Sequence, residues 1–343
     1  MKNIYFYPKI NFKLLIPPNP YIYYLENALS KNYNIVNKNF NKIGILDFFK
    51  YFLKTDIFFL NWIEDITLRK YGRAQSIIFI FFTFLSILFK KKIVWVLHNQ
   101  YSHGAAKNAW TDFMYKFLLK NSNLIITHSK AGVEFIKRNN SSYLNKTSYL
   151  IHPLQEITPV MPQVEKTYDF FIWGVISPYK GILEFLKFVK GSEDFSNFKI
   201  LIAGKCMDKK YKAEINKYLT KNIIHYDKFY EFQEILTFAN ASKFTLFTYQ
   251  SKSVLSSGAL MDAIRMRSVI IGPNKGAFKD LDKSNFVFIY NDFSEITQIY
   301  NRMVPHINSF NGEMEQFCKE NSWEVFADKI IPVLGQMYSI QIY

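Results

Sequence analysis

Short runs rich in β-branched and aromatic residues alternate with longer runs of helical periodicity along almost all of the 343-residue chain. This alternation predicts repeated β-α-β units, in which parallel strands form a sheet that helices cover on both faces. In the first half, a helical pattern at 21–30 follows the first predicted strand. The strands predicted in this half are 3–7, 33–36, 56–61, 92–98, 123–127 and 147–151.

The alternation resumes after 152–166, a segment with three prolines and no clear period. We therefore predict an α/β protein with two doubly wound, Rossmann-like domains that face a central cleft, 1–155 and 167–322. Residues 156–166 would form the linker, and a terminal helix at 323–343 can pack back on the first domain. The strands predicted in the second half are 169–173, 199–203, 223–226, 244–248, 268–271 and 286–290, with helices from 181, 209, 231, 257 and 292.

The net charge of +15, from 43 Lys+Arg against 28 Asp+Glu, calls for an anionic partner. Nucleic acid, acidic lipid and a phosphorylated small molecule would all suit it. The basic residues are spread along the chain and no nucleic-acid-binding motif accompanies them, so nucleic-acid binding is a remote alternative. Two cysteines without metal-type spacing, and an N-terminus without the features of a secretion signal, favour a cytoplasmic protein.

The most apolar segment, 76–89, is shorter than the roughly 20 residues that a membrane span needs. Two interpretations stay open for it. It can be a helix packed on a sheet, or it can lie in the surface of an anionic membrane. The flanking cations that favour the second interpretation are Arg69, Lys70, Arg73, Lys90, Lys91 and Lys92.

One loop after a predicted strand combines a lysine with the start of a helix. The strand ends at Gly174, Ser177 lies in the loop, and Lys180-Gly181 stands directly before the helix. Unpaired N–H groups at a helix N-terminus and an adjacent ammonium attract phosphate. The alternative is an ordinary strand-to-helix loop with a surface lysine.

A second loop has a similar design, because Ser256-Ser257-Gly258 opens a helix and Asp262 lies one turn inside it. Serine at the cap and glycine after it would let a phosphate approach the backbone. Simple capping of the helix is the alternative.

The predicted strands of the first half also end in polar and aromatic residues. His98 and Asn99 follow one strand, and Trp62 and Glu64 follow another. His98 can accept a proton or bind a sugar hydroxyl, and Trp62 can stack on a sugar. A structural histidine and packing at a strand end are the alternatives. His103 follows in a loop. A metal site at these histidines is poorly supported, because no carboxylate-rich or Cys/His cluster accompanies them in the sequence.

Six segments in this order carry a resemblance to a known family: Asn-Trp-Ile-Glu64, Trp-Val-Leu-His-Asn99, Ile-His-Pro153, Gly174 with Tyr-Lys-Gly181, Ile-Ala-Gly-Lys205, and Ser-Ser-Gly258 with Asp262. They resemble bacterial GT-B glycosyltransferases, especially family 4 and its relatives that build capsule, exopolysaccharide or lipopolysaccharide. The resemblance extends from Asn19 to Phe326.

The resemblance implies a transferase that moves a sugar from a nucleotide sugar to a lipid-linked or oligosaccharide acceptor, without a metal or other cofactor and with retention of configuration. Lys180 and His98 would be catalytic. The implied donor-binding residues are Gly174, Ser177, Lys180, Gly181, Lys205, Tyr226, Ser256, Ser257, Gly258 and Asp262, and the implied acceptor-binding residues are Asn19, Trp62, Glu64, Asn99 and His103. The implied location is the inner face of the cytoplasmic membrane.

The chain departs from the family pattern at two places. The Glu-x7-Glu pattern falls on Val254 and Asp262, so one carboxylate is lost and the other is shortened. The arginine that precedes the phosphate-binding lysine is replaced by Val175 or Ser177, and Lys205 can substitute for it. A catalytically impaired GT-B scaffold that acts as an assembly partner is therefore an alternative function.

Overall fold

The computed structural model describes residues 1–9, 19–38, 44–101, 109–160, 164–251 and 255–339. The chain forms two compact units. The first unit contains Met1–Ile151 and Trp323–Tyr343, and the second contains His152–Ser322. The segment that follows Ile151 is tied to the second unit, because both the backbone N–H and the hydroxyl of Thr158 donate to the carbonyl of Arg265, each at 2.8 Å.

The first unit is built on a parallel sheet of six described strands in the order β2-β1-β3-β4-β5-β6. The order reverses between β1 and β3, which makes the carboxyl ends of these strands a topological switch point. The strands are β1 (Asn3–Tyr7), β2 (Asn34–Ile35), β3 (Ile57–Asn61), β4 (Lys92–Leu97), β5 (Leu124–Thr127) and β6 (Thr147–Tyr149).

Helices cover both faces of this sheet. On one face, α1 (Tyr21–Leu29) packs beside the C-terminal helix Trp323–Ser339, and Leu25, Ile330 and Leu334 are fully buried there. The C-terminal helix thereby completes the core of the first unit although it follows the second unit in sequence. The helices that precede the second unit in sequence are α1 (Tyr21–Leu29), α2 (Asp47–Tyr51), α3 (Gly72–Leu88), α4 (Ala109–Asn121) and α5 (Lys130–Asn139).

The second unit has a parallel sheet of six described strands in the order β12-β11-β10-β7-β8-β9. Its switch point lies between the neighbouring strands β7 and β10, so the loops that follow these two strands begin at adjacent points at the carboxyl edge of the sheet. The strands are β7 (Tyr168–Trp173), β8 (Ile200–Ala203), β9 (Ile223–Tyr226), β10 (Ser242–Leu246), β11 (Val269–Pro273) and β12 (Val287–Tyr290). The helices are α6 (Ile182–Lys190), α7 (Lys209–Asn216), α8 (Phe232–Asn240), α9 (Gly258–Arg265), α10 (Gly276–Asp280), α11 (Glu295–Met303) and α12 (Asn311–Glu320).

The predicted α/β class is confirmed in both units. Each strand predicted from the sequence forms, and its ends lie within two residues of the prediction. The agreement follows from the buried position of these strands, because parallel strands covered on both faces are nearly continuous apolar runs. Phe58, Val94 and Ile202 illustrate this burial at the centres of their strands.

Candidate functional site

The loops after β7 and β10 are joined at the switch point of the second unit. Gly181, which precedes α6, has a left-handed backbone with φ of 69°. A Cβ there would lie 2.3 Å from the carbonyl oxygen of Thr248, so the position requires glycine both for its dihedral angle and for its space. The Thr248 hydroxyl donates to the Lys180 carbonyl at 2.7 Å. The two loops therefore form one rigid edge.

Lys180 is buried at this edge, with 5% of the residue exposed. Its ammonium donates to the carbonyl of Trp173, at the end of β7, at 2.8 Å. Among the described residues no carboxylate forms an ion pair with Lys180. Burial lowers the pKa of the Lys180 ammonium to about 7. A buried ammonium beside the N-terminus of α6, with no counter-charge from the described part of the chain, is suited to receive an anion.

The loop before α9 contacts the same edge through Tyr249. The Tyr179 and Tyr249 rings lie 5.8 Å apart, and the Tyr249 hydroxyl lies 3.3 Å from the hydroxyl oxygen of Ser257. Ser257 also accepts from the backbone N–H of Leu260 at 3.3 Å and thereby caps α9. Capping is thus the role that the structure gives Ser257, while donor contacts from Ser256 and Ser257 stay a prediction. Tyr249 was not singled out from the sequence, since a tyrosine just beyond a strand has no signal of its own.

The edge continues to the loops after β8 and β9. Gly174 donates its N–H to the Ala203 carbonyl at 3.0 Å, which brings the Lys205 loop alongside. The Lys205 ammonium lies 3.3 Å from Asp227, and Lys212 also pairs with this carboxylate. Lys205 therefore has a protein counter-charge, in contrast to Lys180. Its substitution for the missing arginine stays a prediction.

Two further predicted donor residues lie at the rim of this edge. Tyr226 ends β9 and is 40% exposed. Asp262, in α9, lies 3.3 Å from the guanidinium of Arg265, and its side chain is 37% exposed. The Arg265 guanidinium also lies 4.1 Å from the ring centroid of Phe232. The structure thus leaves both Tyr226 and Asp262 accessible, and their contacts with a nucleotide stay predictions.

In the first unit, an aromatic cluster lies at the carboxyl ends of β3 and β4. Trp62 follows β3 with a left-handed backbone, φ 48°, an uncommon conformation for a bulky residue. Its ring stacks on that of His98, with centroids 4.2 Å apart and planes 16° from parallel. His98 Nε2 lies 3.1 Å from Asn61 Oδ1, and Asn61 Nδ2 donates to the Tyr7 carbonyl. This orientation of the Asn61 amide makes His98 Nε2 the donor.

Tyr21 and His128 support His98 and were not predicted from the sequence. The Tyr21 ring lies 4.8 Å from that of His98, centroid to centroid. The Tyr21 hydroxyl lies 2.8 Å from His128 Nε2, and His128 Nδ1 lies 2.8 Å from the Leu150 carbonyl. Because that carbonyl can only accept, Nδ1 carries the proton and Nε2 accepts from Tyr21. His128 directly follows β5, as His98 follows β4, and this repetition was the available sequence signal.

The other predicted acceptor residues lie in different settings. Asn19 Oδ1 accepts from the Tyr21 N–H at 3.0 Å, just before α1, and the Asn99 carbonyl accepts from the Tyr115 hydroxyl at 3.3 Å. Glu64 is buried, and its carboxyl accepts from Trp95 Nε1 at 2.9 Å. Glu64 thus corresponds to the packing alternative. His103 lies outside the described residues.

Comparisons with known proteins identify the architecture. No family model and no curated protein matches the chain. Among solved structures, HepE from Anabaena in complex with UDP and glucose superposes with a TM-score of 0.68 at 10% identity, covering 98% of this chain and 100% of HepE. A glycosyltransferase from Rickettsia africae gives 0.63 at 10% identity, covering 99% of each chain. AviGT4, a glycosyltransferase of avilamycin A biosynthesis, gives 0.61 at 10% identity over 99% of this chain and 98% of its own.

The chain has the GT-B fold. At these identities the likeness establishes the fold alone, and the roles of individual residues rest on their own geometry. In the part of this GT-B chain that the structure describes, no three His, Cys, Asp or Glu residues are grouped as metal ligands are. The predicted independence from metal stays a prediction.

Gly258 offers a test of phosphate approach in this GT-B protein. A Cβ at Gly258 would meet no described atom within 4 Å. Gly258→Ala should therefore raise the thermal midpoint slightly, since replacing glycine by alanine at a compatible position stabilises a protein by roughly 0.4–1 kcal/mol. If a phosphate approaches the backbone at the start of α9, the same variant should bind nucleotide several-fold more weakly. Differential scanning fluorimetry and calorimetric titration measure the two effects, and equal nucleotide affinity would leave Gly258 as helix structure only.

Glu64 offers a pH test of the first unit. Burial, followed by the charge of Asp65, raises the pKa of the Glu64 carboxyl from its ordinary 4.5 to about 8. The folded protein then holds a proton that the unfolded chain releases, so stability should fall as pH rises from about 4.5 to about 8. Glu64→Gln removes this loss while it keeps an acceptor for Trp95.

The measurement compares denaturant unfolding of both proteins across this pH range. The stability advantage of Glu64→Gln should widen from pH 5 to pH 8 and then stay constant. Glu134→Gln, at an exposed position of α5, is the matched control and should show no such widening. A pH-independent difference for Glu64→Gln would mean that this carboxyl is ionised in the folded protein at neutral pH.

Proposed function

We propose that this chain is a glycosyltransferase that moves a sugar from a nucleotide sugar to a lipid-linked or oligosaccharide acceptor in surface polysaccharide synthesis. In the proposal the enzyme acts at the inner face of the cytoplasmic membrane, needs no metal and retains the configuration of the sugar. Its second unit binds the donor, and its first unit binds the acceptor.

The buried ammonium of Lys180 is the observation that carries the proposal. It lies at the switch point of a Rossmann-type sheet, beside the N-terminus of α6, and no described carboxylate neutralises it. A diphosphate would supply the missing negative charge and would accept hydrogen bonds from backbone N–H groups of α6. HepE, whose fold this chain shares, has been solved with UDP and with UDP-glucose. UDP is therefore the first nucleotide to test.

These groups would also promote the reaction. When the bond between the sugar and the diphosphate breaks, negative charge develops on the leaving diphosphate. A cation and N–H groups that are already in place stabilise that charge without further reorganisation. The joined loops of Lys180 and Thr248 provide this rigidity. Lys180 would therefore contribute to both donor binding and turnover.

His98 would act on the acceptor side. Its ring is held between Trp62 and Tyr21, and its Nε2 is oriented by Asn61. An imidazole so oriented can position an acceptor hydroxyl or move its proton. Trp62, Asn19 and Asn99 would add contacts with the acceptor. The buried Glu64 would fix the Trp95 side chain through its hydrogen bond from Trp95 Nε1.

A thermal-shift screen with UDP, GDP, CDP and dTDP tests the donor class, because a ligand of the folded state raises its midpoint. We expect UDP to stabilise the protein both with EDTA and with added magnesium. A shift that needs magnesium would overturn metal independence, and no shift with any nucleotide would overturn the proposal. Release of UDP from UDP-sugars, with anomeric NMR of the product, then tests turnover and retention.

The impaired scaffold is the second candidate function. It is favoured by the absence of a carboxylate at Val254 and by the pairing of Asp262 with Arg265. UDP binding without turnover on any tested acceptor would support the scaffold. Turnover with an oligosaccharide or a lipid-linked acceptor would remove it.

A further inference from the structure

The orientation of α3 is unusual for a helix on a sheet. The face that packs inward carries Ser76, Thr83 and Ser86 as well as Phe79 and Phe82, and all five residues are buried. Each of the three hydroxyls donates to a backbone carbonyl one turn earlier, which satisfies it inside the unit. The helix therefore packs inward while half of its large apolar side chains stay exposed.

Those side chains lie on the outer face of α3. Ile77, Phe81, Phe84 and Leu88 are 59%, 51%, 59% and 73% exposed, and their spacing of four, three and four residues places them in one stripe. The stripe continues onto the region of α2, where Phe49 is 61% exposed and its ring lies 4.6 Å from that of Phe82. The α2–α3 face is defined here as Phe49, Leu53, Ile77, Phe81, Phe84 and Leu88. An exposed apolar face of this extent marks an interaction surface.

The surroundings of the α2–α3 face are basic. No Asp or Glu occurs between Asp65 and Asp112, while seven Lys or Arg residues do. Asp47, in α2, is buried. Among the described residues none of the exposed cations near the face forms an ion pair; these are Lys50, Lys54, Lys70, Arg73, Lys90 and Lys116.

We infer that the α2–α3 face docks on the surface of an anionic lipid bilayer. Phenylalanine and leucine side chains would enter the boundary between headgroups and acyl chains, and the surrounding cations would meet the anionic headgroups. With 17 residues and a polar inner face, α3 lies along the surface, and no described helix has the length and hydropathy to cross a bilayer. The inference extends the proposed function, since a lipid-linked acceptor resides at such a surface.

Vesicle co-sedimentation of the full chain tests this inference independently of sugar transfer. We expect binding to vesicles in which about a third of the lipid is phosphatidylglycerol to exceed binding to phosphatidylcholine vesicles at least tenfold, and to weaken with salt. The double variant Phe81→Gln with Leu88→Gln should bind anionic vesicles at least about tenfold more weakly. The triple variant Lys50→Gln, Lys54→Gln and Lys90→Gln should lose the preference for anionic lipid.

Val160→Gln with Val164→Gln is the matched control, because it replaces two exposed apolar residues of the second unit, 68% and 47% exposed. It should bind vesicles as the wild type does. Equal vesicle binding by the Phe81/Leu88 variant, or no preference of the wild type for anionic lipid, would overturn the inference. So would a wild-type dimer in light scattering that this variant dissociates, since the face would then cover a second copy.

The thermal midpoint and UDP binding of each variant show whether it is folded. Failure of UDP binding in the wild type would overturn the proposed function, whereas vesicle binding would still support the docking surface. Loss of vesicle binding with intact UDP binding in the Phe81/Leu88 variant would support both.

Discussion

Lys180→Met is expected to weaken the binding of UDP by about 10- to 100-fold, because hydrogen bonds to a charged group contribute roughly 1.5–3 kcal/mol each. The unliganded protein should keep or raise its thermal midpoint. Methionine fills a similar volume, and it removes a buried ammonium that no described carboxylate neutralises. Calorimetric titration and differential scanning fluorimetry measure the two quantities.

Lys187→Met is the matched control, since Lys187 is exposed on the same helix. It should change neither the UDP affinity nor the thermal midpoint.

The pH dependence of UDP binding gives a second test of Lys180. With a pKa of about 7, Lys180 loses its proton as pH rises, and binding of a diphosphate must restore that proton. Wild-type affinity should therefore fall about fivefold between pH 7 and pH 8 relative to Lys180→Met. Equal affinity of wild type and variant would remove Lys180 from the donor site.

His98→Gln is expected to lower turnover on the order of 100-fold while the KM for the nucleotide sugar stays within about twofold. Glutamine can still donate a hydrogen bond to Asn61, so the local hydrogen bond survives. It cannot take up or move the proton of an acceptor hydroxyl as an imidazole can. Steady-state kinetics with varied donor and acceptor separate these effects.

His306→Gln, at an exposed position of the second unit, is the control and should leave kinetics and stability unchanged. A structural role for His98 makes the opposite prediction. The thermal midpoint of His98→Gln would then fall while the turnover of the remaining folded protein stayed normal. That outcome would assign His98 to packing with Trp62 and Tyr21.

Strand positions were predictable because burial on both faces leaves a strong signal, but the end of β10 shows a limit. The sequence predicts 244–248, whereas the strand is Ser242–Leu246. Phe247 and Thr248 lie beyond the end of the strand but remain buried, Phe247 because its N–H still donates to the Ile271 carbonyl of β11 and Thr248 because it holds the Lys180 loop. A buried loop and a buried strand have the same composition, so the apolar run alone could not separate them.

The candidate site was predictable only in part. Lys180, Gly181 and His98 stand beside strand ends, and strand ends can be found from the sequence. The partners that give these residues their chemistry lie far away along the chain. His128 meets Tyr21 across 107 positions, and Thr248 meets Lys180 across 68. Local pattern carries no information on such contacts.

The outer face of α3 was hidden from the sequence for a different reason. The segment is apolar on almost all sides, so its periodicity does not say which side is buried. Ser76, Thr83 and Ser86 interrupt the apolar run, and polar residues are normally expected outside. They lie inside because their hydroxyls are satisfied by the helix itself. The side chains that remain outside are therefore the apolar ones.

The link between Thr248 and Lys180 has a consequence for the newly made chain. All of β8, β9 and the helices α6 to α8 are synthesised between these two residues. The edge formed by the Lys180 and Thr248 loops therefore cannot exist until β10 has emerged from the ribosome and paired with β7. A nascent chain that ends before Thr248 would lack this edge, so under the proposed function its first binding of a nucleotide would mark the completion of the second sheet's centre.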